Sequence, residues 1–308
     1  MKVVALAGGV GAAKFLSGLI EIVPPEDLTI IVNTGDDFLW MGLYICPDLD
    51  TVTHTLAGLS NPETGWGVQG DTFRCLDRLQ QLGGESWFRI GDLDLATHLF
   101  RTNRLRDGCS LSEVTAEICV RNEIHCRILP MTDSPVPTLV HTDEGVLAFQ
   151  EYFVRRKCEP VVKGFSFEGV ELSQPAPGVM EALVSSGAVI VCPSNPFISI
   201  GPILAVPGIR EAMRQAEATV VAVSPVVEGQ AIKGPTAAML AQLGHDVSAA
   251  GVAAMYADIL DAFVLDTRDE ALRSRVSDLG LAVRTAETIM NSAQARVDLA
   301  RAVMEMVP

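Results

Sequence analysis

The sequence predicts an α/β fold: a Rossmann-like, doubly wound, mostly parallel sheet with a small β-rich inserted subdomain. Three observations carry this expectation. Continuous apolar runs recur near both ends of the chain, and each stops at a glycine or Ser/Pro loop. Runs of that kind belong to strands covered on both faces. The first run is followed by a helical apolar spacing and then by a second run, the order of a parallel strand–helix–strand unit. The chain has 308 residues, 48% of them hydrophobic, which suits one large core.

Taken in order, "KVVALAG" is β-branched and apolar and breaks at glycine. "GAAKFLSGLIEIV" carries helical spacing, and "LTIIVNTGDD" is a second buried strand with a polar end. "SLSEVTAEICVRNEI" opens with Ser110 and has Glu113 three residues on, the signature of a capping box. Late in the chain, "GAVIVCPSNP", "ATVVAVSPVV" and "AFVLDTRD" repeat the buried-strand pattern. The middle differs. "TLVHTDEGVLAFQEYFVRR" reads as strand, Asp-Glu-Gly turn, strand, and "VVKGFSFEGVEL" as a further strand pair about a turn. These assign residues 1–134 and 181–308 to the α/β core and 135–180 to the insertion.

The formal net charge of −15 disfavours nucleic acid and anionic membranes as partners. A phosphorylated ligand needs only a local positive pocket, because salt screens charges beyond about 8–10 Å. The seven cysteines are scattered and form no C-x-x-C pair, which disfavours a structural zinc site and fits reduced thiols in a cytoplasm. "MKVVALAGG" fits a first strand better than a signal peptide, and no run is long enough to span a membrane.

Four predicted strand ends hold candidate chemistry, on the sheet edge where such folds gather ligands. In "GGVGAAK", Gly9 and Gly11 let a phosphate approach a helix start, and Lys14 stands where a dinucleotide fingerprint has its third glycine. A tight turn with a solvated lysine is the plainer alternative. In "NTGDDFLWMGLYICPDLDT", the carboxylates of Asp36, Asp37, Asp48 and Asp50 gather with few cations nearby. Mg2+ is a natural partner for such a set; helix capping by Asp36 and Asp50 is the alternative. "CPSNPFISIGPIL" offers Ser194, Asn195 and Ser199, and "SPVVEGQAIKGP" offers Lys233. Trp66, Asp71 and Arg74, and the arginines Arg101, Arg104 and Arg106, are either substrate contacts or ordinary surface. His54 and His98 read as structural histidines. No nucleophile elbow with a Ser-His-Asp order is visible.

Together these stretches resemble the 2-phospho-L-lactate transferases of coenzyme F-420 biosynthesis and their phosphoenolpyruvate-transferring actinobacterial relatives. The matching segments are "GGVGAAKFLSGL", "VNTGDD", "CPDLDTV", "GWGVQGDTF", "RDGCSLSEVT", "ILPMTDSPV", "CPSNPFISIGPIL" and "AVSPVVEGQAIKGP", and "AAGVAAMYADILDAFVLDTRD" extends the likeness towards the C-terminus. The resemblance implies a cytoplasmic homodimer. It implies a guanosine diphosphate ester of a small acid as donor, the ribityl hydroxyl of the deazaflavin Fo as acceptor, and GMP as leaving group.

On that resemblance Asp37 and Asp50 hold Mg2+, and Asp50 also orients the attacking hydroxyl. Gly9, Gly11 and Lys14 take phosphate oxygens, with Lys14 stabilising charge on the leaving GMP. Ser194, Asn195 and Ser199 line the guanosine diphosphate site, and Trp40 flanks the deazaflavin. One stretch departs from the archaeal pattern. "GDLDLATH" has Leu93 and Leu95 where extra arginine is expected, so Arg89 or the arginines of "RTNRLR" would replace that charge. Two other readings stay open: a non-catalytic nucleotide-sugar-binding regulator of the related fold group, and a nicotinamide dehydrogenase. Lys14 in place of a glycine speaks against the dehydrogenase.

Overall fold

The computed structural model describes residues 1–231 and 234–308. Lys233 of the "KGP" loop therefore lies outside the described residues. From the N-terminus, β1 (Val3–Ala7) leads through α1 (Val10–Leu19) to β2 (Leu28–Val32). A hairpin of β3 (Phe38–Trp40) and β4 (Leu43–Ile45) precedes α2 (Pro47–Leu56), α3 (Arg74–Gln81), α4 (Asp92–Arg106), α5 (Leu111–Arg121) and β5 (Arg127–Pro130). Next come β6 (Thr138–Thr142), β7 (Gly145–Ala148) and β8 (Val162–Phe167). The second half runs α6 (Val179–Ser185), β9 (Ala188–Val191), α7 (Gly201–Ala205), α8 (Ile209–Gln215) and β10 (Thr219–Val223). A short ribbon of β11 (Val226–Val227) and β12 (Gln230–Ala231) follows. Then come α9 (Thr236–Gln242), α10 (Ala249–Tyr256), β13 (Ala262–Asp266), α11 (Arg273–Ser277), β14 (Ala282–Ala286) and α12 (Ala293–Met304).

Seven strands form one parallel sheet in the order β14-β13-β10-β9-β1-β2-β5. The chain winds outward one way from β1 through β2 to β5, and the other way from β9 through β10 and β13 to β14. The reversal falls between β1 and β9, where a doubly wound sheet opens its crevice. Alternation along β1 divides two cores. Val3, Ala5 and Ala7 pack with Phe15 and Leu16 of α1, Leu49 of α2 and Leu299 of α12. Val4 and Leu6 pack on the other face with Leu183, Ile203 and Val252. Both faces are covered, as the continuous apolar runs require.

β6, β7 and β8 make a separate antiparallel sheet with its own core of Val140, Phe149, Tyr152 and Val162. Two expectations for this segment need correction. "EYFVRR" does not continue the second strand: Glu151–Arg155 forms a helical turn, because Phe149 and Tyr152, three residues apart, are both buried. "VVKGFSFEGVEL" supplies one strand rather than two. β8 pairs with β6, and after Gly169, at φ +75°, Val170–Leu172 closes a 3-10 turn instead of pairing.

The capping box at Ser110 and Glu113 starts α5 as the spacing predicts. All seven cysteines are free. Among the described residues no helix is long and apolar enough to cross a membrane.

Candidate functional site

At the crevice, the turn after β1 meets the loop after β9. The Gly8 N–H donates to Ser194 Oγ at 3.4 Å. A Cβ on Gly11 would lie 2.4 Å from the Pro193 carbonyl oxygen, and one on Gly8 would lie 2.4 Å from Ser199 Cβ. Gly11 thus lets its turn approach the backbone of the loop after β9, and Gly8 leaves room for the Ser199 side chain. α1 begins at Gly9 with no side-chain cap and no acidic residue in its first turn. Its first N–H groups have no intrahelical acceptor, and the helix dipole adds positive potential there. Lys14 is half-buried one turn in and has no ion-pair partner among the described residues.

Acidic groups crowd the same edge from the other side. β2 ends at Val32, and Asn33 follows, fully buried. Its Nδ2 donates to Asp36 Oδ1 at 3.1 Å, to Asp48 Oδ2 at 2.9 Å and to the Ile198 carbonyl at 3.1 Å. Two hydrogens cannot fully serve three acceptors. The hairpin turn at Met41 and Gly42 has positive φ at both residues, the geometry of a tight two-residue hairpin, and returns the chain to α2. α2 carries Asp48 and Asp50 in its first turn, both buried. Asp48 Oδ1 faces the glycine turn, 2.7 Å from where a Cβ on Gly9 would stand.

Asp37 is buried, and neither of its oxygens accepts a hydrogen bond of ordinary geometry, although the Cys46 thiol lies beside it. Burial pushes the Asp37 and Asp36 carboxyls well above the ordinary range, and the charge of Asp48 adds to both. Burial also pushes Asp48 up to about 7, against the Asn33 hydrogen bond. These are costs that a cation would relieve, so Asp37 and Asp48 fit a divalent ion with oxygen ligands.

Asp50 behaves differently. Arg101 of α4 grips both of its oxygens, one of them at 3.0 Å. Burial would raise the Asp50 carboxyl, but the Arg101 charge and its hydrogen bonds hold it below the ordinary value. Asp50 Oδ2 also lies 3.5 Å from His98 Nδ1. Oxygen and nitrogen atoms of Asp50, Asp94 and His98 gather within 4.8 Å, but the guanidinium on Asp50 opposes a cation there. The expectation that Asp50 ligates Mg2+ therefore meets a competitor that the sequence did not place beside it.

The other expected residues divide. Ser194 and Ser199 are buried at the crevice. Asn195 spends its side chain on its own loop: Oδ1 accepts from Phe197 and Ile198 N–H at 2.8 and 3.3 Å, and Nδ2 meets Met239 sulfur at 3.3 Å. Arg89 is exposed and stacks 4.3 Å over Phe73. Trp40 is buried in a small core with Ile45, Leu76 and Ile90, so it packs inward rather than presenting its ring to a ligand. Asp71 is a helix cap. It accepts from Leu93 and Asp94 N–H at the start of α4, while Asp92 accepts from Arg74 and Cys75 N–H at the start of α3. This exchange of caps joins the two helices.

The sequence does not single out Asn33; it offers Asp48 only within the carboxylate cluster and Arg101 only as one of three arginines that are either substrate contacts or ordinary surface. For Arg101 one signal existed: Asp94, His98 and Arg101 are spaced four and three apart and share a helix face.

Comparison with known proteins adds the following. The family profile for 2-phospho-L-lactate transferase CofD matches residues 3–304. A phosphoenolpyruvate transferase of Kitasatospora aureofaciens is 43% identical, over 99% of this chain and 98% of the relative. A 2-phospho-L-lactate transferase of Methanosarcina mazei is 40% identical, over 97% of this chain and 98% of the relative. A solved protein of the UPF0052 family from Bacillus halodurans superposes with a TM-score of 0.64 at 16% identity, covering 98% of each chain. At that identity the likeness is one of fold.

Proposed function

The chain belongs to the 2-phospho-L-lactate transferase family, and from that premise we propose that it transfers a phospho-acid group to the deazaflavin Fo from a guanosine diphosphate ester. The acid is lactate, enolpyruvate or a close relative. The Fo ribityl hydroxyl oxygen bonds to the phosphorus that carries the acid, the P–O bond to GMP breaks with its electron pair leaving on GMP, and the hydroxyl proton passes to solvent. The observation that carries this reading is the juxtaposition at the crevice: bare N–H groups and Lys14 on one helix start, buried carboxylates on the next.

Phosphoryl transfer asks a protein mainly for positioning and charge neutralisation. The α1 N–H groups and Lys14 bind the diphosphate, and Lys14 stabilises the charge passing to GMP. Ser194 and Ser199 close the donor side. Asp50, fixed by Arg101, orients the attacking hydroxyl through lone pairs that the guanidinium leaves open. Asp37 would hold Mg2+, with Asp48 a better second ligand than Asp50 because its Oδ1 faces the glycine turn unpaired. The ion, when bound, neutralises the diphosphate.

The test is a mass measurement of the product from Fo and each guanylated acid, with GMP counted in parallel. One donor should add one phospho-acid to Fo per GMP released. Fo recovered unchanged with every donor, together with tight NAD binding and no response to GDP, would overturn the reading.

A further inference from the structure

Among the described residues Arg101 is the largest fully buried side chain, at 2% exposure. It comes from a helix 51 residues away from Asp50, yet it meets that carboxylate with two nitrogens in the planar fork suited to a carboxylate. Its surroundings are arranged in turn. Arg101 Nη1 lies 3.3 Å from His98 Nδ1. Arginine has only donors, so a hydrogen bond here uses Nδ1 as its acceptor and leaves Nε2 to the other side of the ring. That nitrogen faces Asp94 Oδ1 at 3.6 Å. Asp94 is anchored through its own N–H to Asp71. Thr102, four residues after His98, accepts from the Tyr44 N–H at 2.8 Å through its hydroxyl oxygen and ties α4 to the hairpin before α2. Polar groups thus line up from Asp71 through Asp94 and His98 to Arg101 and Asp50, hydrogen-bonded at each step except the 3.6 Å gap between His98 Nε2 and Asp94 Oδ1. Arg104 and Arg106 are spent elsewhere, on Glu117 and the Gly42 carbonyl.

We propose that Arg101 is a positioning residue for the transfer step: it fixes the Asp50 carboxylate in one orientation at the start of α2, and His98 fixes Arg101. This rests on the reading of Asp50 given above. The position favours it over a purely structural ion pair. Replacing a buried pair with apolar groups is often neutral for stability, so stability alone does not call for a guanidinium here. A misplaced reacting group, by contrast, is costly to the rate.

The test separates kcat from KM. Arg101→Lys keeps the charge and loses the fork. It should lower kcat about tenfold to a hundredfold, while KM for donor and Fo stay within about twofold. In an Asp50→Asn background the same change should add less than about twofold, because its target is already gone. His98→Leu, which removes the acceptor beside Nη1, should lower kcat by a smaller factor, about threefold or more. His98→Asn places an amide oxygen near the Nδ1 position and should retain most of the rate.

Should Arg101→Lys fail to fold, the His98 pair carries the test: equal rates for His98→Leu and His98→Asn would overturn the proposal. So would a rise in KM with kcat unchanged, or full additivity with Asp50→Asn. If Asp50→Asn itself leaves kcat intact, the role given to Asp50 fails instead. If Asp50→Asn is slow and Arg101→Lys is not, only the positioning role fails.

Discussion

Two helix starts meet at this crevice and make opposite chemical offers. α1 begins on glycine, with no acidic residue in its first turn and no side-chain cap. α2 begins on Pro47 and brings Asp48 and Asp50 into its first turn, both buried. Both starts carry unpaired N–H groups and a positive dipole end, one N–H fewer at α2 because Pro47 has none. At α2 the protein's own carboxylates answer that potential. At α1 it is left for an outside anion. The lesson is that a helix start becomes a ligand site by what its first turn lacks. The carboxylates beside it become useful through what they fail to find: among the described residues Asp37 has no ion-pair partner and no donor beyond the neighbouring Cys46 thiol, while Asp50 has a complete partner in Arg101.

The largest break in this contrast should come from Asp50→Asn, which we expect to lower kcat by about 10²–10³-fold. It also strands the Arg101 charge in the core, so stability should fall by about 3–5 kcal/mol. Denaturant titration beside single-turnover kinetics checks both. A variant with wild-type rate would show that the α2 start is structural only.

Gly11→Ala attacks the α1 start through packing. Its Cβ would sit 2.4 Å from a backbone oxygen of the neighbouring loop, which cannot turn aside. Stability should fall by about 1–3 kcal/mol, with loss of donor binding. Gly9→Ala should cost less, because its neighbour at 2.7 Å is the end of the Asp48 side chain. Thermal melts of the two variants, run together, would show whether the order is reversed.

Lys14→Ala leaves the packing alone and removes one charge. GDP affinity should drop about tenfold to a hundredfold, the worth of one charge-assisted contact. Fo binding, followed by fluorescence quenching, should stay unchanged. Equal losses in both titrations would move Lys14 out of the donor site.

The smallest effect is one of pH. Asp36, Asp37 and Asp48 have folded-state values raised above those of the unfolded chain, Asp48 to about 7. Between about pH 4 and 7 the folded state then holds protons that the unfolded chain has released, so their contribution to stability falls as pH rises. Without a divalent cation, Tm should decline over that window, by roughly 1–2 °C for each kcal/mol lost. Mg2+ should raise Tm more at about pH 7.5 than at about pH 5.5. Asp48→Asn should flatten both trends. A wild-type Tm that ignores Mg2+ at the higher pH would remove the cation from this cluster.

The sequence by itself determined whatever depends on neighbours along the chain. Apolar runs broken at glycine specified strands buried on both faces, and β1, β2, β9, β10 and β13 lie where those runs stand. Ser110 and Glu113 announced the start of α5, because a capping box closes within one turn. Gly9, Gly11 and the four aspartates were visible as unusual residues at strand ends. Only the tertiary structure decided their partners. Asp50 and Arg101 are 51 residues apart, and their pairing exists because α4 packs beside α2 and β4. Asn195 reads as a ligand contact and Asp71 as a site candidate, and the fold gives each a capping bond, Asn195 on its own loop and Asp71 at α4. A short polar side chain has the same local signature whether it meets a ligand or a backbone N–H. The difference lies in which elements reach it, and that is fixed when the two cores close on the sheet.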